Sequence, residues 1–255
     1  MNCIFINLLY FTVLYGTVLY SAVLSCIIVA GSSWSSTPSS YSEGVPAWCS
    51  FLGVQCDTVS TSATYLSVIY LRLGSVSLAG TIPSSIGSLT ALRGLYMGGN
   101  QLTGSIPSSI GSLTSLLLIN LNTNSLTGTI PSSIGSLSLL SYLLLNSTSI
   151  SGTIPSSVGS MTSLIHVQLE DNFLTGTIPS TFNQLTKLTY LTLQSNYLTM
   201  GSATTVPPST FSNETLSGPQ YSGTFDLSNN CLVFNYQRTS ASATHCSPTS
   251  SKCEA

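Results

Sequence analysis

Residues 92–115 read LRGLYMGGNQLTGSIPSSIGSLTS, and the tail of this segment returns along the chain. The motif G-[TS]-I-P starts at Gly80, Gly104, Gly128, Gly152 and Gly176, and every successive difference is the same, 24. A period that strict means stacked similar units, not a globule of unlike elements. Within the unit, Leu95 and Met97 flank Tyr96, and one unit later Ile119 and Leu121 flank Asn120. Residues two apart share a face of a strand, so each unit supplies one short strand with its apolar residues turned into the coil. Tyr96 and Asn120 then face outward from an inner, concave sheet whose parallel strands stack about 4.8 Å apart. The Ile-Pro step opens a short helical segment, with the proline expected in its first turn, and Ile110 and Leu113 bring the chain back to the core. A lone unit cannot offset the entropy of its own ordering. Stability must be shared along the stack.

A column of asparagines, Asn100, Asn124, Asn172, Asn196 and Asn230, follows the strands, with Val76 and Thr148 as departures. A buried side-chain amide can serve backbone groups of its own turn and of the neighbouring coil. Threonine keeps only a hydroxyl there, and Val76 keeps nothing.

The spacing L-x-x-L-x-L-x-x-N-x-L-x-G-x-I-P is the leucine-rich-repeat signature. Followed by S-S-I-G-S-L, it resembles the plant-type class found in receptor-kinase ectodomains and polygalacturonase inhibitors, over roughly residues 48 to 232. The resemblance implies an α/β solenoid: a right-handed superhelix with a parallel concave β-sheet and short 3-10 turns or loops on the convex side. It also implies a cap at the amino-terminal end. Cys49-Ser-Phe51-Leu-Gly53-Val54-Gln-Cys56 is similar to the plant-type cap C-x-W-x-G-V-x-C, with Phe51 in the tryptophan slot, and this pairs Cys49 with Cys56. At the other end the register returns at Phe225 to Leu232, and Cys246 closes on Cys231, which leaves Cys253 over.

Only 5% of the 255 residues are charged and the net charge is −2, so no electrostatic argument favours nucleic acid or anionic lipid. Residues 4–30 are almost wholly apolar, and no lysine or arginine precedes Arg72. This segment is expected to be a signal peptide, with the mature chain starting near Ser32 and secreted. At about 1.5 Å per residue it is also long enough to remain as a membrane anchor, with the repeats outside. No cysteine lies between Cys56 and Cys231, and terminal cysteines behind such a leader read as disulfide clamps. A metal set of Cys231, His245, Cys246 and Cys253 is the weaker alternative, because the spacing lacks a close ligand pair at each end. Asn146 and Asn213 open glycosylation sequons. The expected organisation is therefore a leader (1–30), an amino-terminal cap (31–67), repeats (68–211), and an irregular loop with final strand, cap and tail (212–255).

Aligned units place Tyr70, Gly94, Leu118, Tyr142, His166 and Tyr190 in one concave column. Arg72, Tyr96, Asn120, Leu144, Gln168 and Thr192 form a second, and Gly74, Gly98, Asn122, Asn146, Glu170 and Gln194 a third. No cluster of acids, bases or nucleophiles, no phosphate loop and no metal motif appears, so neither an enzyme nor a cofactor is expected. The expected function is non-catalytic recognition of a protein, peptide or glycan on the concave face. Its contacts are expected at Tyr142, His166, Gln168, Glu170, Asp171 and Tyr190, where ionisable and aromatic groups gather. The resemblance, with no kinase segment after the repeats, implies a secreted receptor-like or inhibitor-like module. A structural wall or matrix role, or ice binding, is the alternative: Thr81, Ser105, Thr129, Thr153 and Thr177 form one outer file, and Ser84, Ser108, Ser132, Ser156 and Ser180 another.

Overall fold

The computed structural model describes residues 53–56, 67–199 and 224–226. Seven of the described strands stack in parallel to make the concave sheet: β2 (Val68–Arg72), β4 (Gly94–Tyr96), β6 (Leu118–Asn120), β7 (Tyr142–Leu144), β9 (His166–Gln168), β11 (Tyr190–Thr192) and β13 (Thr224–Asp226). At the amino-terminal edge β1 (Val54–Cys56) pairs antiparallel with β2, its register shifting between Gln55 and Cys56. From β2 to β11 each strand advances by one full repeat with no slip: Leu71, Leu95, Ile119, Leu143, Val167 and Leu191 stand side by side, all buried. The apolar alternation thus fixes the register. A slip of one residue would turn every one of these side chains to water.

A second set of strands runs along one flank. It holds β3 (Ala79–Thr81) with β5 (Gln101–Thr103), and β8 (Ser151–Thr153), β10 (Phe173–Thr177) and β12 (Tyr197–Thr199), with single bridges Ser105–Thr127 and Thr129–Ser151 between them. From sequence, only loops or 3-10 turns are expected outside the concave sheet. Partners here fall short of a full repeat by two positions, so Thr81 lies beside Thr103 and Thr177 beside Thr199. Just past β5, Gly104 at φ 71° bends the chain where a side chain would strain the backbone.

On the convex side, 3-10 turns span Ser84–Ser88, Ser108–Ser112, Ser132–Ser136, Ser156–Ser160 and Ser180–Gln184. The prolines do not occupy the first turn as expected. Each stands one place earlier, at the cap, in extended backbone such as Pro107 at φ −69°, ψ 142°, where its carbonyl accepts the first turn's N–H. The turns are tied coil to coil by hydroxyls: Ser109 donates to the Ser84 carbonyl at 2.6 Å, Ser133 to that of Ser108 at 2.6 Å, Ser157 to that of Ser132 at 2.7 Å. The second serine of each pair is therefore structural, and the first remains exposed.

The asparagine column lies inside the coil. Asn100 accepts from the N–H of Val76 (3.1 Å) and Leu78 (2.9 Å), and donates to the carbonyls of Leu73 (2.7 Å) and Met97 (2.9 Å). Asn124 and Asn196 repeat the pattern. At the departure, the Thr148 hydroxyl donates to Asn172 Oδ1 at 2.5 Å, linking it to the next rung. Cys56 is disulfide-bonded, and its expected partner Cys49 lies outside the described residues. The leader, Asn213, Asn230, Cys231, Cys246 and Cys253 lie outside them as well. No helix among the described residues is long and apolar enough to cross a membrane.

Candidate functional site

The three concave columns form as the repeat alignment requires. Strand pairing places Tyr142, His166 and Tyr190 side by side, and likewise Leu144, Gln168 and Thr192. The third column is joined by backbone bonds, including Ser147 N–H to the Glu170 carbonyl (3.0 Å) and Asp171 N–H to the Gln194 carbonyl (3.1 Å).

On the carboxyl-terminal half the rings touch. His166 stacks on Tyr190 with centroids 3.9 Å apart and planes 17° off parallel, while Tyr142 leans over it at 6.0 Å and 34°. Tyr142 is 40% exposed, so this file of rings meets water at its outer end. Burial among them holds the His166 imidazole below its ordinary value of 6.5. By linkage, the unfolded chain binds the proton more readily, so stability is unaffected by this group well above pH 6.5 and falls as the pH drops through that value. Melting temperature should therefore decline on acidification below pH 6.5, and the decline should shrink in His166→Gln. An identical decline in both would remove His166 as its source.

Glu170 departs from the expected contact set. Only 8% of it is exposed, and its carboxylate accepts a hydrogen bond from the Thr192 hydroxyl on the adjacent strand. Gln168 is half-buried, and Asp171 is exposed in left-handed backbone at φ 55°. Asn146 is half-buried, with its Oδ1 enclosed. No three His, Cys, Asp or Glu side chains come together among the described residues.

The amino-terminal half carries a feature that the alignment does not anticipate. Gly74, Gly98 and Gly99 leave these strands bare in sequence. In the fold their bareness is a depression of about 410 Å³, bounded by Ser75, Tyr96, Asn120, Asn122 and Thr123. Beside it the Arg72 guanidinium lies 4.9 Å from the Tyr70 ring centroid and 5.9 Å from that of Tyr96. The signal is present in the glycines lying opposite amides and an aromatic, but a missing side chain reads as nothing until its neighbours are placed.

Family models described as Leucine rich repeat match residues 138–198, and 91–113 with 115–137. No curated protein matches by sequence. Among solved structures, the BIR3–SERK2 complex from Arabidopsis thaliana is 33% identical, covering 64% of this chain and 88% of that one, with TM-score 0.51. The Arabidopsis receptor kinase HAESA, solved with the peptide hormone IDA and the co-receptor SERK1, is 30% identical over 64% of this chain and 26% of that one, TM-score 0.53. A plant ice-binding protein is 31% identical over 59% of this chain and 48% of that one, TM-score 0.54. The chain spans 20% of the receptor RGFR1, 21% of TDR and 24% of GASSHO1/SCHENGEN3.

Proposed function

The chain belongs to the plant-type leucine-rich-repeat family, and from that premise we propose a non-catalytic, extracellular recognition module that takes a peptide or protein on the carboxyl-terminal half of its concave sheet. The observation that carries the reading is the stack of His166 on Tyr190 with Tyr142 alongside. Rings already held by each other offer contact area at small entropic cost, and aromatic anchors of this kind dominate interface energies. HAESA, solved with a peptide and a co-receptor, supports the class of partner. Gln168 and Asp171 supply polar contacts at the edges of the file, and Glu170 positions Thr192 rather than meeting the partner. A glycan on the Asn146 sequon would confine the approach to the side of β9 and β11.

Panning a displayed random-peptide library on the purified chain tests this. Enriched peptides should lose about tenfold or more in affinity for Tyr190→Ala and His166→Ala, each anchor contributing more than about 1.4 kcal/mol, and keep it for Ser132→Ala. Equal binding by all three variants would move the interface off this face.

A second reading is favoured by the flank strands. Their pairing sets hydroxyls two abreast: Thr81 with Thr103, Ser105 with Thr127, Thr129 with Ser151, Thr153 with Thr175, and Thr177 with Thr199. The hydroxyls of Thr103, Ser151 and Thr199 each donate to a carbonyl one coil back at 3.2 Å, which orients them. An oriented double file repeating about every 4.8 Å can order water, and the similarity to a plant ice-binding protein points the same way. Thermal hysteresis separates the two: the recognition module is expected to show none.

A further inference from the structure

We propose that the depression on the amino-terminal half of the concave sheet is a binding site for an uncharged sugar ring, distinct from the peptide-binding file on β7, β9 and β11. The two readings are independent, because they rest on different strands and no residue is shared.

The depression exists because one column of the sheet stops projecting. Further along, Asn122, Asn146, Glu170 and Gln194 fill that column, whereas Gly74 and Gly98 project nothing: Gly74 leaves backbone as the floor, and over Gly98 the amide oxygens of Asn120 and Asn122 lean in, where a Cβ would collide with both. Its volume of about 410 Å³ lies within the range of small-molecule sites, roughly 300–1,000 Å³. The walls combine one flat aromatic with short neutral hydrogen-bonding groups: Tyr96 on one side, the amides of Asn120 and Asn122 on the other, and the hydroxyls of Ser75 and Thr123 at the rim. No charged side chain lines it.

Two of these groups are held in place before any ligand arrives. The Tyr96 ring lies across Gly94, where a Cβ would stand 2.7 Å from Tyr96 Cε2 and 2.5 Å from Tyr70 Cδ1, and Arg72 packs near both rings. The Asn120 Oδ1 accepts the N–H of Asn122 at 3.2 Å, which fixes the orientation of its amide. A pyranose presents an apolar C–H face and a rim of hydroxyls. The ring of Tyr96 matches the face, and amides, which donate and accept, match the rim. Its lining is apolar across the Tyr96 ring and polar only at neutral amides and hydroxyls, with no charged group among the lining residues to take a peptide's charged side chains or termini.

Gly74 allows a direct test. A Cβ built there meets nothing nearer than the Gly98 carbonyl oxygen at 3.5 Å, so the branch point of Gly74→Leu displaces no backbone and its side chain takes up space in the depression that Gly74 lines. The full chain is titrated with cellohexaose, chitohexaose and mannohexaose by calorimetry and saturation-transfer NMR. At least one is expected to bind with Kd on the order of 1 mM or tighter, weakened about tenfold or more by Gly74→Leu and by Tyr96→Ala. The same sugar should bind His166→Ala and Tyr190→Ala unchanged, whatever those variants do to peptides. Binding that survives Gly74→Leu, or the failure of all three sugars to bind, overturns the proposal. Should Tyr96→Ala fail to fold, Gly74→Leu decides alone, its fold checked by an unaltered circular-dichroism spectrum.

Discussion

Gly111→Ala is expected to lower the melting temperature by about 6–12 °C, the equivalent of about 3 kcal/mol in a chain of this size. The site is not strained, since its φ is ordinary, but it is crowded. A Cβ on Gly111 would collide with the Ser133 carbonyl oxygen and stand 2.8 Å from the Ser133 Cβ and 2.9 Å from its carbonyl carbon. These atoms belong to the next coil's 3-10 turn, and backbone cannot swing aside as a side chain does. The coils would have to part, stretching the Ser133 hydroxyl bond to the Ser108 carbonyl, now 2.6 Å. Alanine's smaller unfolded-state entropy gives back only about 0.4–1 kcal/mol. Thermal unfolding followed by circular dichroism measures the difference, with Gly74→Ala as the control. That position has room, so its shift should stay within about 0.5 kcal/mol. Equal melting of the two variants would mean that convex-side stacking is looser than the contacts imply.

A loss of about 3–5 kcal/mol is expected for Asn172→Ala, which removes the middle of a buried ladder. Its Oδ1 accepts from the Ile150 N–H (3.0 Å) and the Thr148 hydroxyl (2.5 Å), and its Nδ2 donates to the carbonyls of Leu145 (3.0 Å), Leu169 (3.2 Å) and Glu170 (3.1 Å). Alanine leaves these groups without a partner in a place where Asn172 is 3% exposed and water does not reach. Each orphaned group costs about 1–3 kcal/mol when buried, and the sum is reduced because the turn relaxes. Denaturant unfolding would measure it. A loss under about 1 kcal/mol would show that the carbonyls find other donors and that the column is not the internal brace of the coil.

Much of this architecture is legible in sequence because a strict period turns one reading into several. Tyr96 between Leu95 and Met97 predicts strand polarity for every coil, and the structure pairs Tyr70, Gly94, Leu118, Tyr142, His166 and Tyr190 in the column that alignment gives. Asn100 is readable as an internal brace because an amide between Met97 and Leu102 can serve the turn's backbone groups. The flank strands are not readable. Their partners fall short of the period by two positions, so alignment places Thr81 opposite Ser105, whereas the turn of the coil places it beside Thr103. Glu170 escapes for a related reason: its face is evident, but its burial and its bond to Thr192 depend on packing across neighbouring strands. The depression at Gly98 needs the same cross-strand knowledge.

Every brace of the asparagine column reaches one coil back and no further. Asn100 holds Leu73, Val76 and Leu78, and Asn124 holds Met97 and Leu102. Were residues 92–115 excised, Asn124 would arrive where Asn100 had been, facing the same three groups, and Leu116 would follow Ala91 in register. An in-frame loss or gain of one whole repeat therefore passes through the fold unnoticed, while an indel of any other length breaks the column. Unequal recombination between near-identical coils supplies changes of that size. Inheritance can then vary this protein's reach in whole steps, lengthening or trimming the surface it offers without having to reinvent the core.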